Sequence, residues 1–320
     1  MIPAMEHATY SVVIPVYKNE DSIPELLAGL NRLAPQLDGP LEVVFVSDGS
    51  PDRSFELLRR SLPAARFASQ LLLLSRNFGS FSAISAGMEA ATGDYTMVIA
   101  ADLQEPLDLP LEFFRELRKE DCDLVLGQRL KRGDPWLERL MANCFWFAYR
   151  KFVQSDMPPG GIDIFGCNRS VRQVLVKLSE SNTTLVGLLL WMGFRRRIVG
   201  YHRQPRPYGR SAWSFERKSR YLKDSLFAFS DLPLRILGGI GVAGLLLALV
   251  LGVVVAAAKL TGRISVPGYA AEMTLLMFFG GLNSLGLSLL GEYLWRTFEN
   301  TKQRPRFIVF EKMEFPAGRT

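Results

Sequence analysis

Histidine and cysteine are almost absent from this 320-residue chain. His7 and His202 are the only histidines, too few for a histidine-based metal site or a catalytic triad. Cys122, Cys144 and Cys167 are odd in number and scattered. They exclude a disulfide framework and a zinc cluster and fit reduced thiols in a cytosolic setting. No G-x-G-x-x-G follows the first expected strand, and G-x-x-x-x-G-K-[ST] occurs nowhere, so the two commonest nucleotide-cradling loops are missing. The opening MIPAMEHATY lacks a basic segment followed by an apolar one, so no signal peptide is expected. There is no internal repeat and no low-complexity segment.

What is present is unevenly spread. Apolar residues make up 48% and charged residues 22%, with a mean hydropathy of +0.11, high for a soluble protein. Leu232–Trp295 carries few charges, whereas Arg195–Lys223 is crowded with Arg and Lys. A net charge of +6 and a pI near 9.3 favour anionic partners: phosphates, nucleic acid or an acidic membrane face.

Tyr10–Val16, Leu41–Val46, Gln70–Leu74, Tyr95–Ala100 and Leu124–Gly127 read as strands, and Arg195–Tyr201 as a later one. Helices are expected between them. The first is opened by Ser22-Ile23-Pro24-Glu25, a capping box with proline near the helix start, and runs to about Leu33. The others span Pro51 to about Arg60, Phe81–Ala91 and Leu109–Lys119. This order predicts an α/β fold, a mostly parallel sheet with helices on both faces. Polar residues cluster where successive strands end: Tyr17 and Glu20, Asp48, Arg76 and Asn77, then Asp102 and Gln104. One such cluster is ordinary turn chemistry. Four in register suggest one ligand across the carboxyl edge of the sheet, where α/β folds bind ligands.

The stretch YTMVIAADLQEP, residues 95–106, is the sharpest of these. Asp102 and Gln104 are two apart and share a side if the backbone is extended. A carboxylate and an amide oxygen suit Mg²⁺ or Mn²⁺ that also holds substrate phosphates. A strand followed by a polar, helix-capping turn is the plainer reading. Asp163 lies inside the apolar GGIDIF and needs a partner or a job; capping the helix expected from Ser170 is its plainer one. Gln204–Ser214 sets Arg206, Arg210 and Ser211 beside Gly209, a composition suited to a phosphate clamp.

Residues 135–153 and 213–231 mix aromatic and basic side chains, as helices lying in a membrane interface do; packing on the sheet is the other reading of the first. Ile236–Ala258 and Met273–Trp295 are each long enough to cross a bilayer. Asn283 and several glycines in the second suit helix–helix contact and self-association. Arg235 before the pair, and Arg296, Lys302, Arg304 and Arg306 after it, place both ends in the cytoplasm, although Lys259 and Arg263 between the runs weaken the signal. A buried soluble hairpin is the alternative. The expected division is a cytoplasmic domain over 1–231, a transmembrane hairpin over 232–298, and a cytoplasmic tail over 299–320.

SVVIPVYKNE, VVFVSDGSPDRS, LSRNFGSFSAISAGMEAATGD, AADLQEP, GGIDIFGCNR and RPYGRSAWSFERK, in that order and followed by two apolar runs, resemble a family 2 glycosyltransferase. The narrower resemblance is to the polyprenyl-phosphate glycosyltransferases, the dolichol-phosphate-mannose-synthase-like branch with a bacterial two-span anchor. It covers nearly the whole chain. It implies a GT-A fold, Rossmann-like, with Mg²⁺ or Mn²⁺, at the inner (cytoplasmic) membrane. It also implies inverting transfer from a nucleotide-diphosphate sugar, UDP-linked ahead of GDP-linked, to a polyprenyl phosphate, undecaprenyl phosphate being favoured. Carried over by position, Pro15, Tyr17, Glu20, Asp48 and Arg76 face the donor, and Asp102 and Gln104 hold the metal. Arg129, with Arg132 and Arg139 as helpers, and Arg206 and Ser211 meet the acceptor phosphate. Asp102, Asp163 and Arg129 form the catalytic set. The chain departs from the pattern at Ala100, where the first acid of D-x-D is expected, at Ser47 in place of a paired acid, and at Ala212 in place of a lysine. A non-catalytic nucleotide-sugar-binding scaffold, and a family 2 transferase acting on another membrane acceptor, are the competing readings. Nucleic-acid binding is not expected, because the basic residues sit beside membrane-like segments with no recognition motif.

Overall fold

The strands of the first half are near-continuous apolar runs because helices cover both faces of their sheet. In the computed structural model, which describes residues 8–130, 147, 149–151, 156–158, 161–178, 180, 182–205, 207–208, 223–261 and 269–318, β1 (Tyr10–Val16), β2 (Leu41–Ser47), β3 (Ala68–Leu74) and β4 (Tyr95–Val98) are parallel in the order β3-β2-β1-β4. The chain steps outward from β1 to β3 and then returns to the other side of β1. That reversal is the topological switch point at which α/β sheets open a ligand crevice.

Beyond β4 the pairing is mixed. β6 (Ile164–Asn168) is antiparallel both to β4 and to β5 (Leu124–Arg129), while β7 (Arg196–Tyr201) is parallel to β5. At the far edge β8 (Val309–Phe315) runs antiparallel to β3. The full order is β7-β5-β6-β4-β1-β2-β3-β8. The expected mostly parallel α/β sheet is therefore found, with antiparallel pairings at β6 and β8 that no sequence pattern announced. Residues 299–320, expected to form a tail, supply an edge strand of the same sheet.

Side chains alternate between two apolar layers. Val12, Ile14, Val43 and Phe45 face α1 (Ile23–Leu33), α2 (Ser54–Ser61) and the helix Leu109–Arg118. Val13, Val44 and Val46 face α3 (Ser80–Ala90) and, after α4 (Leu109–Arg118), α5 (Arg169–Lys177) and α6 (Leu185–Trp191). Burial rather than capping holds α1. Leu26 and Leu30 are fully buried, each contributing about 1.5–3 kcal/mol, whereas Ser22 makes no side-chain cap. The expected capping box is not formed, because the Ser22 hydroxyl turns to the carbonyls of Ala101, at 2.7 Å, and Asn19, at 3.0 Å. It ties the start of α1 to the turn after β4.

Two long helices follow, α7 (Leu232–Leu260) and α8 (Tyr269–Thr301). Gly244 sits against Phe279 and Gly286 against Leu237, so the two are antiparallel neighbours. Most of the large apolar side chains of α7 are turned outward; Leu249 is 64% exposed and Val253 63%. Among the described residues, Leu232–Val254 is the one stretch long and apolar enough to cross a membrane by length and composition. α8 is longer but carries Glu272, Glu292, Arg296 and Glu299. Most of both expected interfacial helices lies outside the described residues; residues 149–151 and 223–229 are helical.

Candidate active site

The carboxyl ends of β1 to β5 and of β7 open on one edge of the sheet, and antiparallel β6 begins there. Ile164 pairs with Gly127 near the end of β5, and Phe165 with Val98 at the end of β4. The reversal of β6 thus delivers Asp163 to the edge that the other strands reach with their last residues.

On the β1–β3 side the loops are pinned to one another. The Asp48 carboxylate accepts from the amides of Phe78 (2.7 Å) and Gly79 (2.9 Å). It is 3% exposed, and burial pushes its pKa up against the pull of those two amides and of Arg76. Gly49, at φ +57, brings its loop so close that an added Cβ would lie 2.5 Å from the Arg76 carbonyl carbon. Arg76 stacks over the Phe78 ring at 4.0 Å. Glu20 accepts from the Arg53 amide at 3.0 Å, and Asp52 accepts from the Glu20 amide at 3.1 Å. Tyr17 and Pro15 are half-buried above the end of β1. Asp48 therefore shapes the loop that carries Arg76, a contact that its expected donor-side role did not foresee.

At the switch point β4 ends at Val98, two residues earlier than expected, and the chain turns through Ala101–Leu103 with Leu103 at φ +58. Asp102 and Gln104 are thus arranged by a turn and not by an extended strand. The Asp102 carboxylate accepts from the Gln104 amide at 3.3 Å. Glu105 is 6% exposed, and one of its carboxylate oxygens is buried without a hydrogen-bond partner among the described residues. Burial first, and the charge of Asp102 second, raise its pKa from 4.5 to about 7, against the pull of Arg203.

Across the crevice, Arg129 at the end of β5 forms an ion pair with Asp163. Tyr201, at the end of β7, donates its hydroxyl to the same Asp163 oxygen at 3.2 Å. Burial, then the Asp163 charge, hold that phenol protonated far above its ordinary range. Burial opposes the charge on Arg129, but Asp163 and Tyr201 outweigh it and its pKa is raised. Asp163 is therefore not the cap of α5; Asn168 is, accepting from the Val171 amide at 3.0 Å. Arg203 donates to the Gln104 side-chain oxygen, and the Gln204 amide to the Gln104 carbonyl at 2.8 Å, so the segment after β7 is laced to the acidic turn.

The structure thus brings together Asp102, Gln104, Arg129 and Asp163, with the Asp48–Arg76 loops on the β1–β3 side. Arg132, Arg139, Arg206 and Ser211 lie outside the described residues. Glu105, Tyr201 and Arg203 were missed from the sequence. The rule that found Asp102, polar residues just past a strand's carboxyl end, would have found Tyr201 and Arg203 had it been applied to β7.

Asp102 and Gln104 supply a carboxylate and an amide oxygen, a hard donor set that fits a small divalent cation taking its remaining ligands from phosphates and water. No group of three His, Cys, Asp or Glu side chains that could hold a metal alone exists among the described residues.

Comparison with known proteins gives concordant matches. Residues 11–178 match the sequence profile of Glycosyl transferase family 2. The uncharacterized glycosyltransferase sll0501 of Synechocystis sp. is 33% identical over 93% of this chain and 94% of its own length. The undecaprenyl-phosphate 4-deoxy-4-formamido-L-arabinose transferase of Pseudomonas aeruginosa is 33% identical over 93% of this chain and 88% of its own. The prophage bactoprenol glucosyl transferase homolog of Escherichia coli is 29% identical over 93% and 97%.

Proposed function

Because the chain belongs to glycosyltransferase family 2 and is a glycosyltransferase, we propose that it moves a sugar from a nucleotide diphosphate to a membrane polyprenyl phosphate, undecaprenyl phosphate first among candidates. The observation that carries this reading is the facing pair of clusters at the switch point: Asp102, Gln104 and Glu105 on one wall, the Arg129–Asp163–Tyr201 group on the other. The names of the P. aeruginosa and E. coli relatives support the acceptor, and their matches extend over both long helices.

The donor diphosphate enters beside Asp102 and Gln104, which would hold Mg²⁺ or Mn²⁺. A bound cation supplies charge neutralisation to the diphosphate and to the departing nucleotide. Tyr17, Glu20, Asp48 and Arg76 line the nucleoside side, and a UDP-sugar is favoured over a GDP-sugar. The acceptor is a phosphate monoester, already anionic at neutral pH, so it needs placing and charge compensation more than a strong base. Arg129 does this, and Arg132, Arg139, Arg206 and Ser211 are assigned the same acceptor-phosphate role. Asp163, fixed by Arg129 and Tyr201, orients the reacting groups. One displacement inverts the anomeric centre. α7 and α8 cross the inner membrane as a hairpin, with the catalytic domain and both termini cytoplasmic, and the aromatic, basic segments 135–153 and 213–231 keep the crevice at lipid-phosphate height.

Purified protein incubated with undecaprenyl phosphate, Mg²⁺ or Mn²⁺ and a panel of radiolabelled UDP- and GDP-sugars is expected to give a labelled, solvent-extractable lipid with at least one donor. No lipid product with any donor overturns the proposal.

A further inference from the structure

The chain that leaves α8 returns to the site before it joins the sheet. β8 is antiparallel to β3 and pairs Val309 with Leu74, so the residues just before it lie at the carboxyl edge. There the Ile308 carbonyl accepts from the Ser75 amide at 3.0 Å. Arg306 stacks its guanidinium over Phe81, in the first turn of α3, at 4.8 Å, and donates to the Glu180 carbonyl at 2.7 Å. Phe307 packs against the same apolar layer as Phe78 and Phe81. The loop between Ser75 and Phe81 is therefore gripped twice, by Asp48 from within the sheet edge and by residues 306–308 from outside.

The outer grip is continuous with α8. Arg296 donates to Asp224 at 2.9 Å and to the Asn182 carbonyl at 3.3 Å, and Asn182 donates to Glu299 at 2.6 Å. The segment around Glu180–Asn182 is thus held both by the last turns of α8 and by Arg306. The last turns of α8 and the β3–α3 loop are thus linked through hydrogen-bonded and stacked side chains as well as through the irregular residues 302–308.

We propose that the segment leaving α8 is a structural wall of the donor site, with Arg306 a positioning residue that sets the β3–α3 loop and its Arg76 through Phe81 and Glu180. The membrane-side helix then contributes to donor affinity as well as to anchoring. This rests on reading the Arg76 loop as the donor side. A cation–π contact together with a hydrogen bond of this kind corresponds to about a tenfold change in affinity.

The test uses the full-length protein in detergent or nanodiscs. Arg306→Ala is expected to speed amide exchange across residues 75–82 while the strands β1 and β2 stay protected. It should raise the Kd for UDP or GDP, and the KM for the sugar donor, about tenfold, with kcat at saturation within about twofold. Arg306→Lys, which keeps the charge and a donor for Glu180 but loses the flat stack, should fall between. Phe81→Leu should act in the same direction, and the double variant should be less than additive. Unchanged exchange over 75–82 overturns the inference, as does a fall in kcat with KM unmoved. If the wild-type protein binds neither UDP nor GDP, the donor reading fails by itself; the exchange experiment then decides the structural wall alone.

Discussion

The two edges of the central sheet carry the same residue types, and two buried acids at the carboxyl edge differ from those at the amino edge. At the amino edge every prominent acid is saturated. Glu42 accepts from Ser11, Gln70 and Thr92. Asp94 accepts from the amide and hydroxyl of Thr9 and pairs with Arg169 at 2.8 Å. Asp123 is clasped by Arg195 and Asn168. Burial works against ionisation of Asp94, but Thr9 and Arg169 outweigh it and its pKa is lowered; the Arg195 bonds lower that of Asp123 directly. At the carboxyl edge Asp48 and Glu105 are pushed the other way, chiefly by burial. Asp48 has two loop amides as partners and Glu105 keeps a buried carboxylate oxygen without one among the described residues, so at this edge burial outweighs the compensation that the amino-edge acids receive. The contrast distinguishes carboxylates whose ionised form the fold favours from those whose ionised form it opposes, where sequence alone shows only scattered Asp and Glu.

Exchanging one acid at each edge gives the largest expected effect. Asp102→Ala should lower transfer by about a thousandfold, the scale of a lost cation ligand at the reacting phosphates, and leave the melting temperature within a few degrees. Asp94→Ala should reverse the pattern: about 1–3 kcal/mol of stability lost, since Thr9 and Arg169 lose their acceptor, with kcat/KM per folded molecule unchanged. Thermal unfolding and transfer assays on both variants check this; full activity in Asp102→Ala would refute its metal role.

The second effect is on pH dependence, and its sign differs between the edges. The Glu105 pKa is raised from 4.5 to about 7, so the folded state keeps a proton that the unfolded chain has lost. Its contribution is complete below about pH 4.5 and is lost as pH rises to 7, a change on the order of 3 kcal/mol. Asp94, with a lowered pKa, contributes stability above the unfolded carboxylate value and loses it as pH falls. Unfolding of metal-free protein in EDTA should show Glu105→Gln flattening the slope between pH 4.5 and 7. An unaltered slope there would place the proton elsewhere.

The sequence disclosed the amino-terminal half well because its signals are local. Apolar runs such as Tyr10–Val16 are buried on both faces, and turn residues end them. It disclosed the second half poorly, for reasons visible at particular residues. β6 is only Ile164–Asn168 and pairs with strands far away in sequence, so nothing near it marks it as antiparallel or aims Asp163 at the site. β8 lies after two long helices and looks like a charged tail, because an edge strand alternates polar and apolar and needs only half its side chains covered. Ser22 followed a capping pattern yet bonds the Ala101 carbonyl instead, a tertiary contact overriding a local one. Of the candidate site, the residues at strand ends were legible, Tyr201 and Arg203 at the end of β7 included; the contacts that tie them to Asp163 and Gln104, and the burial of Glu105, come only with folding.

The smallest expected effect sharpens the comparison most, because it removes a single oxygen. Tyr201 is nearly buried beneath Asp163, and its hydroxyl is one of two groups fixing that carboxylate. Tyr201→Phe keeps the ring and its packing and deletes only the donor. An amino-edge network would register this as lost stability. At the carboxyl edge Arg129 still holds Asp163, so stability should change by less than about 1 kcal/mol. Asp163 loses one of its two orientation constraints, and kcat should fall about tenfold, with KM for the nucleotide sugar unmoved. Steady-state kinetics beside thermal unfolding separate the two outcomes: a drop in melting temperature with intact kcat would make Tyr201 a brace like Thr9, and would move Asp163 from the reacting groups to the scaffold.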